Sequence, residues 1–267
     1  MKPARFDYER PADLAGALAL LGRAGVEVKA LAGGQSLGPM LNLRLAQPEL
    51  LVDVSKLAEM RRIEDSADAV TIGACVTHAA IEDGVVPDPA QGMLRAVAGG
   101  IAYRAVRNRG TLGGSLAHAD PAADWPSALA ALGAEVLVVG PAGRRRLPVA
   151  ALMRGMFATA LEPAELIEAV RVPRLSAGAR WGYYKLTRKA GEFAHAIGAA
   201  LHDPARGICR AVIGATGGAP IVIEDAATLR ADPAAIAAVV DASPLADDPY
   251  ERQIHIVALE RALEQLG

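Results

Sequence analysis

An apolar run, Val28 to Ala32, ends in two adjacent glycines and continues through Gln35 and Ser36. A short buried strand feeding into glycine must turn sharply. Ser36 then suits a helix N-cap, and Pro39 is tolerated in the first turn that follows. Strand, glycine turn and helix N-terminus together aim several backbone N–H groups at one point, the geometry of an anion site. A second stretch, Arg109-Gly110-Thr111-Leu112-Gly113-Gly114-Ser115, has similar chemistry. One such stretch alone reads as an ordinary tight turn, because glycine takes positive φ at little cost anywhere. Two of them, each closed by a serine, point to one diphosphate held between two loops.

The rest of the composition narrows the setting. A chain of 267 residues, 52% hydrophobic and 22% charged, folds with a substantial core and has room for two domains. Its net charge of −2 argues against a nucleic-acid surface. Arg144-Arg145-Arg146 sits between turn residues and reads as a solvated strand edge. Cys75 and Cys209 are the only cysteines, which excludes a disulfide framework and a four-cysteine iron–sulfur cluster within this chain. The five histidines have no metal-ligand spacing. No apolar run approaches the roughly 18 residues of a membrane span, and the first residues carry no signal core. The expected location is the cytoplasm.

Read in order, Asp13 caps a helix with Leu14, Leu18 and Leu21 on one face, and Leu50 to Val54 forms a buried strand, giving a small α/β unit. Arg61 to Glu64 and Ala69 to Gly73 then pair around a turn at Asp65 to Asp68. Helices follow at His78, Met93 and Asp124, and strands at Ala134 to Val139, Arg144 to Pro148 and Leu166 to Val172. Pro173 to Ala179 is the expected boundary. Beyond it, three strand-like runs (Tyr183 to Leu186, Ala194 to Leu201, Gly207 to Gly214) precede helical ones. The fold class is therefore α+β with α/β parts. A two-lobed domain spans residues 1–173, with lobes at about 1–55 and 56–173. An α+β domain with a three-stranded antiparallel sheet and helices spans 174–267.

Ala32 to Leu37 with Asn42-Leu43-Arg44, and Arg107-Asn108-Arg109 onward through Ser115, His118 and Asp120 to Asp124, resemble the FAD-binding medium subunit of molybdenum hydroxylases. Aerobic carbon-monoxide dehydrogenase is the best-known relative, and the FAD domain of xanthine dehydrogenase is a more distant one. The resemblance continues at Gly155, Thr159 and Leu161, at Glu165-Leu166-Ile167, and from Tyr184 to Ala194, so it covers nearly the whole chain. It implies an oxidoreductase subunit whose two lobes clasp FAD non-covalently. It also implies partner subunits, a large one holding molybdopterin and a small one holding iron–sulfur clusters. Electrons would pass from those clusters through FAD to an external acceptor, with no catalytic acid or base in this chain.

By the same resemblance, Ala32, Gly33, Gly34, Gln35 and Ser36 contact the FAD diphosphate. Thr111, Leu112, Gly113, Gly114 and Ser115 contact the diphosphate and the groups adjoining it. Asp124 hydrogen-bonds the cofactor, Val97 and Ile167 pack on it, and Lys185 lies near the flavin, where a cation would stabilise the reduced anionic form. Gln35 departs from relatives that often carry His or Lys there, and Phe193 replaces a family aromatic beside the flavin ring. From the residues alone, Asp124 also reads as a helix N-cap, Val97 and Ile167 as ordinary core, and Lys185 as a solvated strand lysine. The alternative function is a stand-alone FAD-dependent oxidoreductase on the same fold. By the resemblance the substrate is set in the molybdenum subunit, and the acceptor is not legible in this chain, which has no Gly-x-Gly-x-x-Gly spacing for a second nucleotide.

Overall fold

The computed structural model describes residues 2–267. In the first lobe, β1 (Asp7–Glu9), α1 (Leu14–Leu21), β2 (Val28–Leu31), α2 (Leu37–Asn42) and β3 (Leu50–Asp53) alternate, and the strands pair in the order β1-β3-β2, all parallel. The Asp13 carboxylate starts α1 by accepting the Gly16 N–H at 2.8 Å. β3 lies in the middle and is buried along its length, as expected of a parallel strand covered on both faces. Parallel strands share one C-terminal edge, and there Leu31 lies beside Asp53.

Asp53 ties β1 into that edge. Its carboxylate accepts from the Tyr8 hydroxyl, from Arg10 Nε at 3.1 Å and Nη2 at 2.8 Å, and from the Ser55 N–H at 2.9 Å. Burial pushes its pKa up, but the hydrogen bonds from Ser55, Tyr8 and Arg10 outweigh burial and bring it to about 2. A depressed carboxyl stabilises the fold above its ordinary value, and that contribution is lost as pH falls toward about 2. Asp53→Asn is therefore expected to be less stable than wild type at neutral pH and to converge on it in strong acid, as read by urea unfolding across a pH series.

The second lobe comprises β4 (Ile63–Asp65), β5 (Ala69–Gly73), α3 (His78–Glu82), α4 (Met93–Gly99), α5 (Arg104–Arg107), α6 (Leu112–His118), α7 (Asp124–Ala131), β6 (Glu135–Gly140), β7 (Gly143–Pro148), a small hairpin of β8 (Met153–Gly155) and β9 (Ala158–Thr159), and β10 (Leu166–Pro173). Its antiparallel sheet runs β4-β5-β10-β6-β7. The last strand in sequence is thus the central one, and it closes the lobe. The arginine run lies on the edge strand β7, where Arg144 pairs with Glu168 at 2.8 Å and Arg145 with Glu165 at 2.6 Å.

The C-terminal part comprises β11 (Arg180–Leu186), β12 (Ala196–Asp203), β13 (Ile208–Gly214), β14 (Ile221–Ile223), α8 (Ala227–Ala231), α9 (Pro233–Asp241) and α10 (Pro249–Glu264). The antiparallel sheet has four strands in the order β11-β12-β13-β14, not three. The fourth strand has three residues directly after Pro220, too few for an alternating pattern to show in the sequence. Alternation along β12 and β13 sends Ala199 and Val212 into the core shared with α7, and Ala200, Ala211 and Ile213 into the core that also holds Leu259 and Leu263 of α10. All eight residues of α7 are buried. That helix is packed from both sides, and its first residue is Asp124.

Candidate functional site

The two glycine stretches meet. A Cβ on Gly33 would overlap the Arg109 carbonyl and come within 2.9 Å of Gly110 Cα, so the turns are stacked backbone on backbone. A Cβ on Gly114 would lie 3.7 Å from Ala32 Cβ. Gly34 has φ +70°, a conformation in which a side chain is strained.

Their backbone donors differ. Among the described residues, the N–H groups of Gly33, Gly34, Gln35, Ser36 and Leu37 donate to no protein acceptor. In the second stretch most donors are already used, the Thr111 N–H being the exception among the described residues. Leu112 N–H donates to Val76 O at 3.0 Å, Gly113 to Ala74 O at 2.9 Å, Ser115 to Thr111 O at 3.0 Å, and Gly114 to Thr111 Oγ1 at 3.2 Å. Thr111 caps α6, so Gly113, Gly114 and Ser115 lie inside a helix's first turn rather than in an open loop. Gly113 is glycine because a Cβ would strike Ala74 at the end of β5. The second stretch thus offers an anion the Thr111 N–H and the Ser115 hydroxyl, neither of which has a protein partner among the described residues. Ser36 occupies the N-cap of α2 without a side-chain cap bond, which leaves its hydroxyl free as well. Gln35 is exposed and folds back, donating from Nε2 to Gly33 O at 3.2 Å.

A second cluster is built by α7 and β11. Lys185 Nζ lies 2.9 Å from Asp124 Oδ1 and donates to Asp124 Oδ2 at 3.1 Å and to Gly100 O at 2.8 Å. The Tyr183 hydroxyl donates to Asp124 Oδ1 at 2.8 Å. Both charged side chains are largely buried, at 8% and 13% exposure. Burial pushes the Asp124 carboxyl above its ordinary pKa, with Lys185 and Tyr183 pulling the other way. Burial, with the Asp124 charge beside it, holds the Tyr183 phenol well above its ordinary value. Asp124 is the first helical residue rather than the cap, which is Ala123. Lys185 is no isolated cation: from a distance the pair is neutral, so its electrical influence is short-ranged. An ammonium has three N–H groups. One is shared with Asp124 and one given to Gly100, which leaves one uncommitted.

Val97 on α4 and Ile167 on β10 are 1% and 3% exposed. Their side chains are already enclosed by core, as the plainer reading of the residues had it. Phe193 and Tyr103 are exposed, and the Tyr103 ring fills the space a Cβ on Gly191 would need. His78, unremarked in the sequence except as helical, is buried beneath the second stretch. Its ring Nδ1 accepts from Trp125 Nε1 at 3.1 Å, and its backbone N–H donates to Gly110 O at 2.9 Å. Burial, reinforced by the Arg107 charge, lowers its pKa to about 4, so it is neutral at pH 7.

Bare donors at a strand–helix turn, a second turn stacked on them and a buried charge pair nearby define a class: a two-lobed protein built to hold an anionic, dinucleotide-like cofactor. Residues 4–175 match the family described as the FAD binding domain in molybdopterin dehydrogenase, and the chain belongs to that family. It is a FAD-binding medium subunit of the carbon monoxide dehydrogenase-like molybdenum hydroxylases, and so an oxidoreductase component.

The chain is 40% identical over 196 residues to the carbon monoxide dehydrogenase medium chain of Hydrogenophaga pseudoflava, covering 73% of this chain and 68% of that one. It is 33% identical to the caffeine dehydrogenase subunit beta of a Pseudomonas species, with 75% and 68% covered. Among solved structures, it superimposes on a carbon monoxide dehydrogenase chain from Hydrogenophaga pseudoflava with a TM-score of 0.92 at 34% identity, covering 100% of this chain and 98% of that one. The residues fit FAD: a diphosphate needs a run of unpaired donors that no side chain obstructs, and residues 33–37 are such a run.

Proposed function

We propose that this chain is the electron-transferring flavin component of a molybdenum hydroxylase complex. FAD supplies the redox chemistry when bound, and the protein binds, orients and tunes it. The N–H groups of Gly33 to Ser36 hold the diphosphate, helped by the Ser36 and Ser115 hydroxyls. Ala32, Thr111, Leu112, Gly113 and Gly114 shape the cradle. Lys185 presents its uncommitted N–H to the flavin, Asp124 orients that lysine and contacts the cofactor, and Val97 and Ile167 back the site through the core. Electrons arrive from iron–sulfur clusters on a small partner subunit, fed by a molybdopterin-holding large subunit, and leave to an external acceptor. The relatives named above support this reading: one acts on carbon monoxide and one on caffeine by name, so substrate choice lies outside a shared medium-chain fold. The observation that carries the site is the unpaired donor run at 33–37.

The test is spectroscopic. The purified chain is expected to be yellow, and its FAD is expected to be reduced by substrate only when the two partner subunits are co-expressed. Turnover of a small substrate by the chain alone would overturn the reading. Ser36→Ala and Ser115→Ala are each expected to weaken FAD binding about ten- to a hundred-fold, since hydrogen bonds to charged groups are worth about 1.5–3 kcal/mol. Because Ser36 makes no side-chain cap bond, its loss is expected to leave the melting temperature of the FAD-free chain unchanged.

A further inference from the structure

We infer that Arg107, paired with Glu82, is the positioning residue that sets where Lys185 stands relative to the cofactor, a reading that rests on Lys185 as the cofactor-facing cation. Arg107 is the last residue of α5, which leads directly into the second glycine stretch through Asn108. Its guanidinium is largely buried, with 12% of the side chain exposed. Nε donates to Glu82 Oε2 at 2.8 Å and Nη2 to Glu82 Oε1 at 2.9 Å, a bidentate pair. Nη1 donates to two successive backbone carbonyls, Ile101 O at 2.9 Å and Ala102 O at 3.3 Å.

Those carbonyls belong to a turn that needs holding. Ala102 has φ +43°, where a residue bearing a Cβ is strained. The residue before Ile101 is Gly100, whose carbonyl accepts the Lys185 ammonium at 2.8 Å. One polar chain thus runs from α3 through Glu82, Arg107, the 100–102 turn and Gly100 O to Lys185 and Asp124. Arg107 touches none of the proposed cofactor-contacting side chains. It acts by fixing the carbonyl that takes one of the three lysine donors, and so by fixing the direction of the donor left over. Lysine at position 107 keeps the charge but lacks the planar fork that serves a carboxylate and two carbonyls at once.

The experiment is a double-mutant cycle on the midpoint potential of the FAD-loaded full chain, using Arg107→Lys, Lys185→Met and the double variant. Lys185→Met is expected to lower the potential, because a donor beside the reduced flavin is removed. Arg107→Lys is expected to lower it in the same direction by less, and to add nothing once Lys185 is gone. Additive shifts, or an unchanged potential in Arg107→Lys, would overturn the inference. A potential unchanged by Lys185→Met but moved by Arg107→Lys would retire the role of Lys185 and the inference with it. FAD absent from the wild-type chain would instead overturn the function proposed above, along with everything resting on it. Should Arg107→Lys fail to retain FAD, Glu82→Asp preserves charge while shortening the reach to Arg107. It is expected to lower the potential by a smaller amount that again vanishes in the Lys185→Met background, and an unchanged potential there would overturn the inference equally.

Discussion

Gly33→Val is expected to cost the chain its FAD, leaving less than about a tenth of stoichiometric flavin after gel filtration. The collision is between main chains. A Cβ at residue 33 would overlap the Arg109 carbonyl and press on Gly110 Cα, and neither can rotate away as a side-chain tip would. The two turns must separate, and overpacking of this kind costs about 1–3 kcal/mol by itself. Separation also moves the donor run at 33–37 relative to the Ser115 hydroxyl, so several charge-assisted bonds weaken together, each worth about 1.5–3 kcal/mol. Gly38→Ala is the control: it sits in α2 with nothing near its absent Cβ, and it is expected to keep full FAD. Gly113→Val is different in kind. It strikes Ala74 where β5 ends, so it is expected to lower the melting temperature of the lobe as well as its flavin content. Stoichiometric FAD in Gly33→Val would retire the proposed diphosphate site.

Much of this was legible in the sequence because local chemistry dictated it. Asp13 caps α1 as its position suggests, and the strands at Leu50, Ala69 and Leu166 lie where the sequence puts them. The glycine stretches were visible as a pair, but their division of labour was not. Whether a backbone N–H is free depends on what lies opposite it, and the acceptors for Leu112 and Gly113 come from Val76 and Ala74, more than thirty residues earlier. The same holds for the buried cluster. Asp124 and Lys185 stood out singly, yet their pairing, and the part of Tyr183 in it, arises only when β11 is laid against α7. Arg107 belongs to the stretch that carries the resemblance, but nothing local gives it a role, since an arginine in a short helix resembles any solvated one until the carbonyls of the 100–102 turn are seen against it. The three-residue strand β14 was missed for want of length.

Lys185→Met is expected to destabilise the folded chain by about 3–5 kcal/mol at neutral pH, the usual cost of removing one partner from a buried ion pair. Asp124 would be left at 8% exposure without its cation, met by the Tyr183 hydroxyl and a backbone N–H. The pH dependence follows from the direction of its pKa. Burial already holds the Asp124 carboxyl above its ordinary value even with Lys185 present. A carboxyl raised on folding favours the folded state at low pH, and that advantage is lost as pH rises through the folded pKa. Removing the lysine raises the carboxyl further, so the destabilisation is largest at neutral pH and shrinks on acidification as Asp124 takes up a proton and is buried neutral. This is the reverse of Asp53, whose depressed pKa makes acid the harmful direction. Urea unfolding of wild type and Lys185→Met across a pH series reads the difference directly. The double variant Asp124→Asn with Lys185→Met, which buries no charge, is expected to recover most of the loss at neutral pH and to show no such pH dependence. A destabilisation of Lys185→Met that stayed constant with pH would mean that Asp124 is not the uncompensated charge, and that the pair is held by packing rather than by its electrostatics.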